Sequence, residues 1–204
     1  MLNTYHLNLP LSDADVRQLN VGDLVYLSGE IVLSAGLPTY QRIFSHVNEG
    51  VELPLDFQGG TLFHLGSLTQ ETPDGYEMLY LNPTTSTRFN PYMPTLIRKL
   101  GLRATGGKGG LDHASALAMQ ETGCVYLSFL GGGCALLSQA IQKVTAVYWE
   151  DMISHYRLVK LQINRLGPLT VGIDTHGQSL YDSLQDQAQS RLPDILNAMS
   201  AQRS

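Results

Sequence analysis

Three junctions of one chemical kind constrain this chain more than any other feature. Pro83-Thr84-Thr85-Ser86-Thr87-Arg88, Gly106-Gly107-Lys108-Gly109-Gly110 and Gly131-Gly132-Gly133 each follow a strand-like run and precede a helix-like one. A helix N-terminus leaves backbone N–H groups unpaired and carries partial positive charge, so it receives anions. Glycine lets the backbone come close to a ligand. Two of the junctions also hold a cation: Arg88 can grip a carboxylate as a bidentate fork, and Lys108 adds a point charge. Any one junction alone reads as turn chemistry, and threonine before a helix reads as a cap. Three together point to a small-anion site. Gly106-Gly107-Lys108-Gly109 lacks the four-residue spacer of a P-loop and the Ser or Thr after its lysine, which disfavours nucleotide binding.

The rest of the pattern places these junctions in an α/β chain. Thr4–Leu9 reads as an extended arm, and Ser12 as the N-cap of a short helical turn. Leu24–Val32 is rich in strand formers. A strand over Thr61–Thr69 should join another over Tyr76–Leu81 through the turn residues Thr72-Pro73-Asp74-Gly75. Asn90 can cap a helix that begins at Pro91 and stops at Gly101; Asp112 can cap another that stops at Gly123. A short buried strand over Cys124–Phe129 precedes a helix over Cys134–Gln142. Strands are expected near Val144–Trp149, Leu158–Asn164 and Leu169–Ile173, and a helical tail from Leu180, interrupted near Pro193. A β-rich start and a β/α continuation predict one layered α/β domain over residues 1–204.

Composition removes several classes of function. The net charge is -5, with no run of basic residues, which argues against a nucleic-acid grip. No stretch reaches the eighteen or so apolar residues of a membrane span, and no secretory signal opens the chain, so a cytoplasmic protein is expected. Charged residues make up only 15%, which fits a surface partly covered by a partner. Cys124 and Cys134 have no metal-ligand spacing. His64 and His113 read as structural; His6, His46 and His155 have no partner pattern.

From about Gly22 to Gly177 the chain resembles the family of the L(+)-tartrate dehydratase β subunit and the class I fumarase C-terminal domain. The resemblance rests on Val21-Gly22-Asp23…Leu27-Ser28-Gly29, the Pro-Thr-Thr-Ser-x-Arg run, the Gly-Lys-Gly-Gly loop, Gly133-Cys134-Ala135, Val147-Tyr148-Trp149, Gly167-Pro168-Leu169 and Asp174-Thr175-His176-Gly177. It implies a swivelling β/β/α fold and a hydro-lyase acting on a hydroxy-dicarboxylic acid such as tartrate or malate/fumarate. In that family Thr84 would take a proton from the carbon beside a carboxylate, and Lys108 would stabilise the charge that builds. Thr85 and Arg88, with the loop glycines Gly107 and Gly109, would bind the substrate. The resemblance also implies a [4Fe–4S] cluster held by several cysteines. Two cysteines are too few, so the cluster is expected in a separate α chain; self-association of this chain stays open. His176 is expected to order a turn.

The sequence departs from the family where Arg-Asp-x-x-His normally follows the first strand. Here stand Ala35-Gly36, with Thr39 or Tyr40 in place of the histidine. Losing one cation from a buried carboxylate weakens binding by roughly 1.5–3 kcal/mol, about ten- to a hundredfold. Arg42 is the nearest candidate to compensate. Asn82 stands where the family places glycine before the proline, a milder change because Asn reaches similar backbone angles. Two alternatives follow: a catalytically silent anion-binding or regulatory relative, and the same chemistry on a substrate lacking the carboxylate that arginine would hold.

Overall fold

The computed structural model describes residues 2–201. β1 (Thr4–Asn8) leads to α1 (Asp13–Arg17), which opens on a reciprocal cap: Ser12 Oγ accepts from the Asp15 N–H, and the Asp15 carboxylate accepts from the Ser12 N–H. β2 (Leu24–Leu33) and α2 (Leu37–Glu49) follow. Next come β3 (Thr61–Phe63) and a hairpin of β4 (Leu65–Thr72) and β5 (Gly75–Pro83), turning at Pro73-Asp74. After a 3₁₀ turn at Ser86–Phe89 the elements alternate: α3 (Met93–Leu100), β6 (Ala104–Gly107), α4 (His113–Thr122), β7 (Val125–Ser128), α5 (Cys134–Ser138) and β8 (Ile141–Tyr148). A second 3₁₀ turn at Ser154–Tyr156 precedes β9 (Leu158–Ile173) and α6 (Leu180–Ala201).

Seven strands form one sheet in the order β1-β2-β3-β6-β7-β9-β8, and β2 also pairs with β9. That extra pairing closes β2, β3, β6, β7 and β9 into a ring, with β1 and β8 as flanking strands paired along one edge each. The pairs from β1 through β7 are parallel, and those of β9 are antiparallel. Alternation along each strand then builds two cores. On β7, Val125 and Leu127 join Val25, Leu27, Ile31 and Phe63 in one core. Cys124 and Tyr126 face the other way, into a core shared with Tyr40, Ile43, Phe89, Leu96 and Met119 from the helical layer.

Several expectations hold and several need correction. Asp112 caps α4, and Gly123 ends it with φ 70. Gly101 likewise ends α3 with φ 63. That helix starts at Met93 rather than Pro91, because the Asn90 side chain accepts from the Asp112 N–H at 3.3 Å instead of capping. The run Thr61–Thr69 breaks at His64 into strands of two different sheets. The helix after Gly133 stops at Ser138, whose hydroxyl bonds to Cys134 O and accepts from the Leu81 N–H. The strands expected at Leu158 and Leu169 are one strand: the extra residues around Asn164-Arg165 and Gly167-Pro168 are taken up as two register shifts opposite β2. α6 runs through Pro193. The helix α2 is additional to the sequence expectations; Tyr40, Ile43, Phe44 and Val47 give it an inward face, and Gly50 ends it.

Candidate functional site

The first two junctions meet as a hydrogen-bonded bridge. Lys108 N–H donates to Thr84 O at 3.0 Å, and Ser86 N–H donates to Lys108 O at 2.8 Å. Thr85 and Lys108 are thereby parallel bridge partners, which sets their side chains on the same side. The bridge is anchored below: Thr84 N–H donates to His64 O at 2.9 Å, and His64 N–H to Gly106 O at 2.7 Å. The third junction lies alongside, with the Lys108 stem 3.9 Å from where a Gly131 Cβ would sit.

Each residue expected in the site has a definite place. Thr84 and Thr85 are half-buried, and their hydroxyls have no hydrogen-bond partner among the described residues. Lys108 is exposed, and so is Arg88 on the 3₁₀ turn; neither head group has a carboxylate partner among those residues. Thr85 and the exposed Lys108 thus share one face, a free hydroxyl and an unpaired cation on neighbouring loops. Gly109 is exposed on the same loop with φ 81. Gly107 is buried: its carbonyl accepts from the Phe129 N–H, and a Cβ there would come within 2.5 Å of Ser86 Oγ. α5 has five residues, too short for a helix dipole of consequence at the third junction.

A cleft of about 660 Å³ lies next to the bridge, touching it through Thr87 and Gly109. Its lining includes Asp112, Asp182 and Asp186, with His113 3.3 Å from the Asp182 carboxylate. Carboxylates repel a dicarboxylate, so charge favours the open surface of Arg88 and Lys108 over this cleft.

Beneath the bridge, Ser86 is fully buried with its Oγ 2.8 Å from His64 Nδ1 and 2.8 Å from the Tyr126 hydroxyl. Sequence reading gave Ser86 and Tyr126 no role, and their meeting across 40 residues has no local signal. His64 is structural, as expected. Burial pushes its pKa down to about 3, so it is neutral in the fold. In an unfolded chain a histidine titrates near 6.5. Between those values the unfolded state binds one proton more, so stability falls as pH drops from about 6.5 towards 3, by about 1.4 kcal/mol per pH unit. Urea midpoints should fall between pH 6.5 and 4.5, and His64→Asn should flatten that slope; identical slopes contradict a buried neutral imidazole. Near pH 4 and below, Asp13, Asp15, Glu30 and Glu121, held low by hydrogen bonds and cations, add their own loss.

Elsewhere the motif residues are structural. The buried Asp174 carboxylate accepts from the N–H groups of Val21, His176 and Gln178, tying the end of β9 to the approach to β2. His176 Nε2 lies 3.1 Å from Arg17 O. At the family's Arg-Asp position, a Cβ on Gly36 would lie 2.7 Å from the Tyr156 Cβ, and Ala35 N–H donates to His155 O. Arg42 is engaged elsewhere, with Asp151 at 3.1 Å and over the Trp149 ring at 4.9 Å. The cysteines do not fit an iron–sulfur cluster. There are only two, and burial pushes the Cys124 thiol up to about 12, far from a thiolate ligand. Among the described residues no helix is long and apolar enough to cross a membrane.

Comparison with known proteins bears on this geometry. Residues 2–184 match the family described as Fumarase C-terminus. A Methanocaldococcus jannaschii protein provisionally named L(+)-tartrate dehydratase subunit beta is 31% identical over 187 residues, 91% of this chain and 95% of that protein. The L(+)-tartrate dehydratase subunit beta of Escherichia coli is 28% identical over 174 residues, 85% of each chain. A Geobacillus stearothermophilus protein provisionally named fumarate hydratase class I is 28% identical over 187 residues, 91% of this chain but 35% of that longer protein.

Proposed function

This chain belongs to the Fumarase C-terminus family, and from that premise we propose that it is the β subunit of a two-chain hydro-lyase. The substrate class is a hydroxy-dicarboxylic acid, tartrate or malate/fumarate. The observation that carries the reading is the Thr84–Ser86/Lys108 bridge, with free hydroxyls and unpaired cations on one exposed loop pair. A surface of that kind becomes a closed site only when a partner covers it.

In this reading Arg88 and Thr85 hold carboxylate oxygens, and the backbone at Gly109 lies open beside them. Gly107 contributes from below, by leaving room for Ser86. Thr84 Oγ takes the proton from the carbon next to the carboxylate. Threonine does this only if neighbouring cations favour its alkoxide, and Lys108 with Arg88 supplies that field. Lys108 also balances the negative charge that grows on the substrate as the C–H bond breaks. The [4Fe–4S] cluster belongs to the α chain, since the cysteines here do not suit it.

The seat at Ala35-Gly36 supports a refinement. Gly36 is packed against Tyr156 and Arg42 is tied to Asp151, so no cation from this segment replaces the family arginine. That seat gives weight to one alternative, the same chemistry on a substrate with a smaller or uncharged distal group, which the mono-acid analogues distinguish from the dicarboxylates. The test is coexpression with an α chain that carries the cluster cysteines, followed by anaerobic purification and a panel of tartrates, malate, fumarate and their mono-acid analogues. Dehydration of one of the hydroxy acids, or hydration of fumarate, is the expected result. An assembled complex with an intact cluster and no turnover on any of them overturns the reading in favour of a silent anion-binding relative.

A further inference from the structure

We propose that His64, Ser86 and Tyr126 form a one-way hydrogen-bond chain that positions the Thr84–Lys108 bridge, with Ser86 as the positioning residue for the base; its catalytic meaning rests on the function proposed above. The direction follows from counting protons in a buried space. Thr105 Oγ1 gives its one proton to Leu62 O at 2.7 Å, so towards His64 Nε2, 3.5 Å away, it can only accept. A neutral imidazole has one N–H, and placing it on Nε2 leaves Nδ1 as an acceptor. Ser86 then donates to Nδ1 and accepts from the Tyr126 hydroxyl. The Tyr126 oxygen in turn accepts from the Gly110 N–H at 3.2 Å. The opposite direction sets two lone pairs against each other between His64 and Thr105, both fully buried.

The chain connects four elements that sequence separates. His64 follows β3, Ser86 sits in the base-bearing junction, Tyr126 is on β7, and Gly110 closes the lysine loop. Packing holds the two rings: Phe89 lies against the His64 ring at 4.6 Å, and Tyr181 from α6 packs edge-on against Tyr126 at 5.6 Å. Gly107 is required at its position because a Cβ would sit 2.5 Å from Ser86 Oγ and 2.8 Å from the His64 Cβ. A side chain there would push Ser86 away from its two partners and open the bridge above it. Displacing a reacting group by about 1 Å is enough to cost about a hundredfold in rate.

Two measurements on the full chain test this without relying on turnover. Nitrogen-15 NMR of the histidines should show His64 neutral, protonated on Nε2 and unprotonated on Nδ1. Amide exchange at Ser86, Lys108 and Gly110 should quicken at least about tenfold in Ser86→Ala and in Tyr126→Phe, with β8 and β9 unchanged. His64→Asn, which keeps an acceptor near the Nδ1 position, should preserve protection that His64→Leu loses. An Nδ1–H tautomer, or unchanged exchange in both hydroxyl deletions, overturns the chain. In the assembled complex the same deletions should lower kcat about a hundredfold with KM little changed. Loss of protection in a complex inactive on every acid would overturn the enzyme reading and leave the chain standing; full protection in an active complex does the reverse.

Discussion

Thr84→Ala should lower kcat of the assembled two-chain enzyme by about 10²–10⁴-fold, the range expected when a positioned general base is removed. The complex should still form. The Thr84 hydroxyl has no protein partner among the described residues, and both backbone bonds of Thr84, to His64 O and from the Lys108 N–H, survive the substitution. KM should change by less than about threefold, because in this reading Arg88 and Thr85 hold the substrate and Thr84 acts only as the C–H bond breaks. Thr84→Ser keeps a hydroxyl and should recover much of the rate. Initial rates under anaerobic conditions decide it: a Thr84→Ala enzyme within threefold of the unmodified one removes Thr84 as the base.

Gly106→Ala should be the most damaging small substitution to the fold. Gly106 pairs with both Phe63 and Leu127 in the middle of the closed ring of strands. A Cβ there would overlap the Leu127 carbonyl oxygen and press on the Phe129 ring. The obstruction is backbone held in a parallel ladder, which cannot rotate away as a side chain could. Overpacking usually costs 1–3 kcal/mol, and this site belongs at about 3 kcal/mol or beyond. For a chain of this size that corresponds to a fall in melting temperature of about 6–12 °C. A thermal scan of the soluble variant measures it. A shift below about 2 °C would mean that β6 and β7 lie further apart than described.

The fold was legible in the sequence wherever a local signal decides it. Asp112 and Gly123 mark both ends of α4, Ser12 and Asp15 make a reciprocal cap, and Pro73-Asp74 turns the hairpin. α2 had weaker punctuation, since Gly36 offers no side-chain cap, although Pro38 in its first turn and the spacing of Tyr40, Ile43, Phe44 and Val47 were readable. Ring closure was not readable. It depends on β9 crossing β2 with two register shifts, and a Gly-Pro inside a strand resembles a strand end. In the candidate site the sequence displayed the hydroxyls and cations, because they lie on two short loops, one opened by Pro83 and rich in hydroxyls, the other marked by glycines. It concealed the His64–Ser86–Tyr126 contacts, which join residues 22 and 40 positions apart. It also left Arg42 as a possible substitute for the missing arginine, whereas in the fold Arg42 pairs with Asp151 and lies over the Trp149 ring.

The most direct measurement is a crystal structure of the two-chain complex with a hydroxy-dicarboxylate bound. Density for a carboxylate within hydrogen-bond distance of Thr85 and Arg88 is the predicted result, with the substrate carbon facing Thr84 Oγ and Lys108 beside it. Density for the acid in the aspartate-lined cleft near His113, or on the α chain with no contact to Thr84, Arg88 or Lys108, would contradict the account.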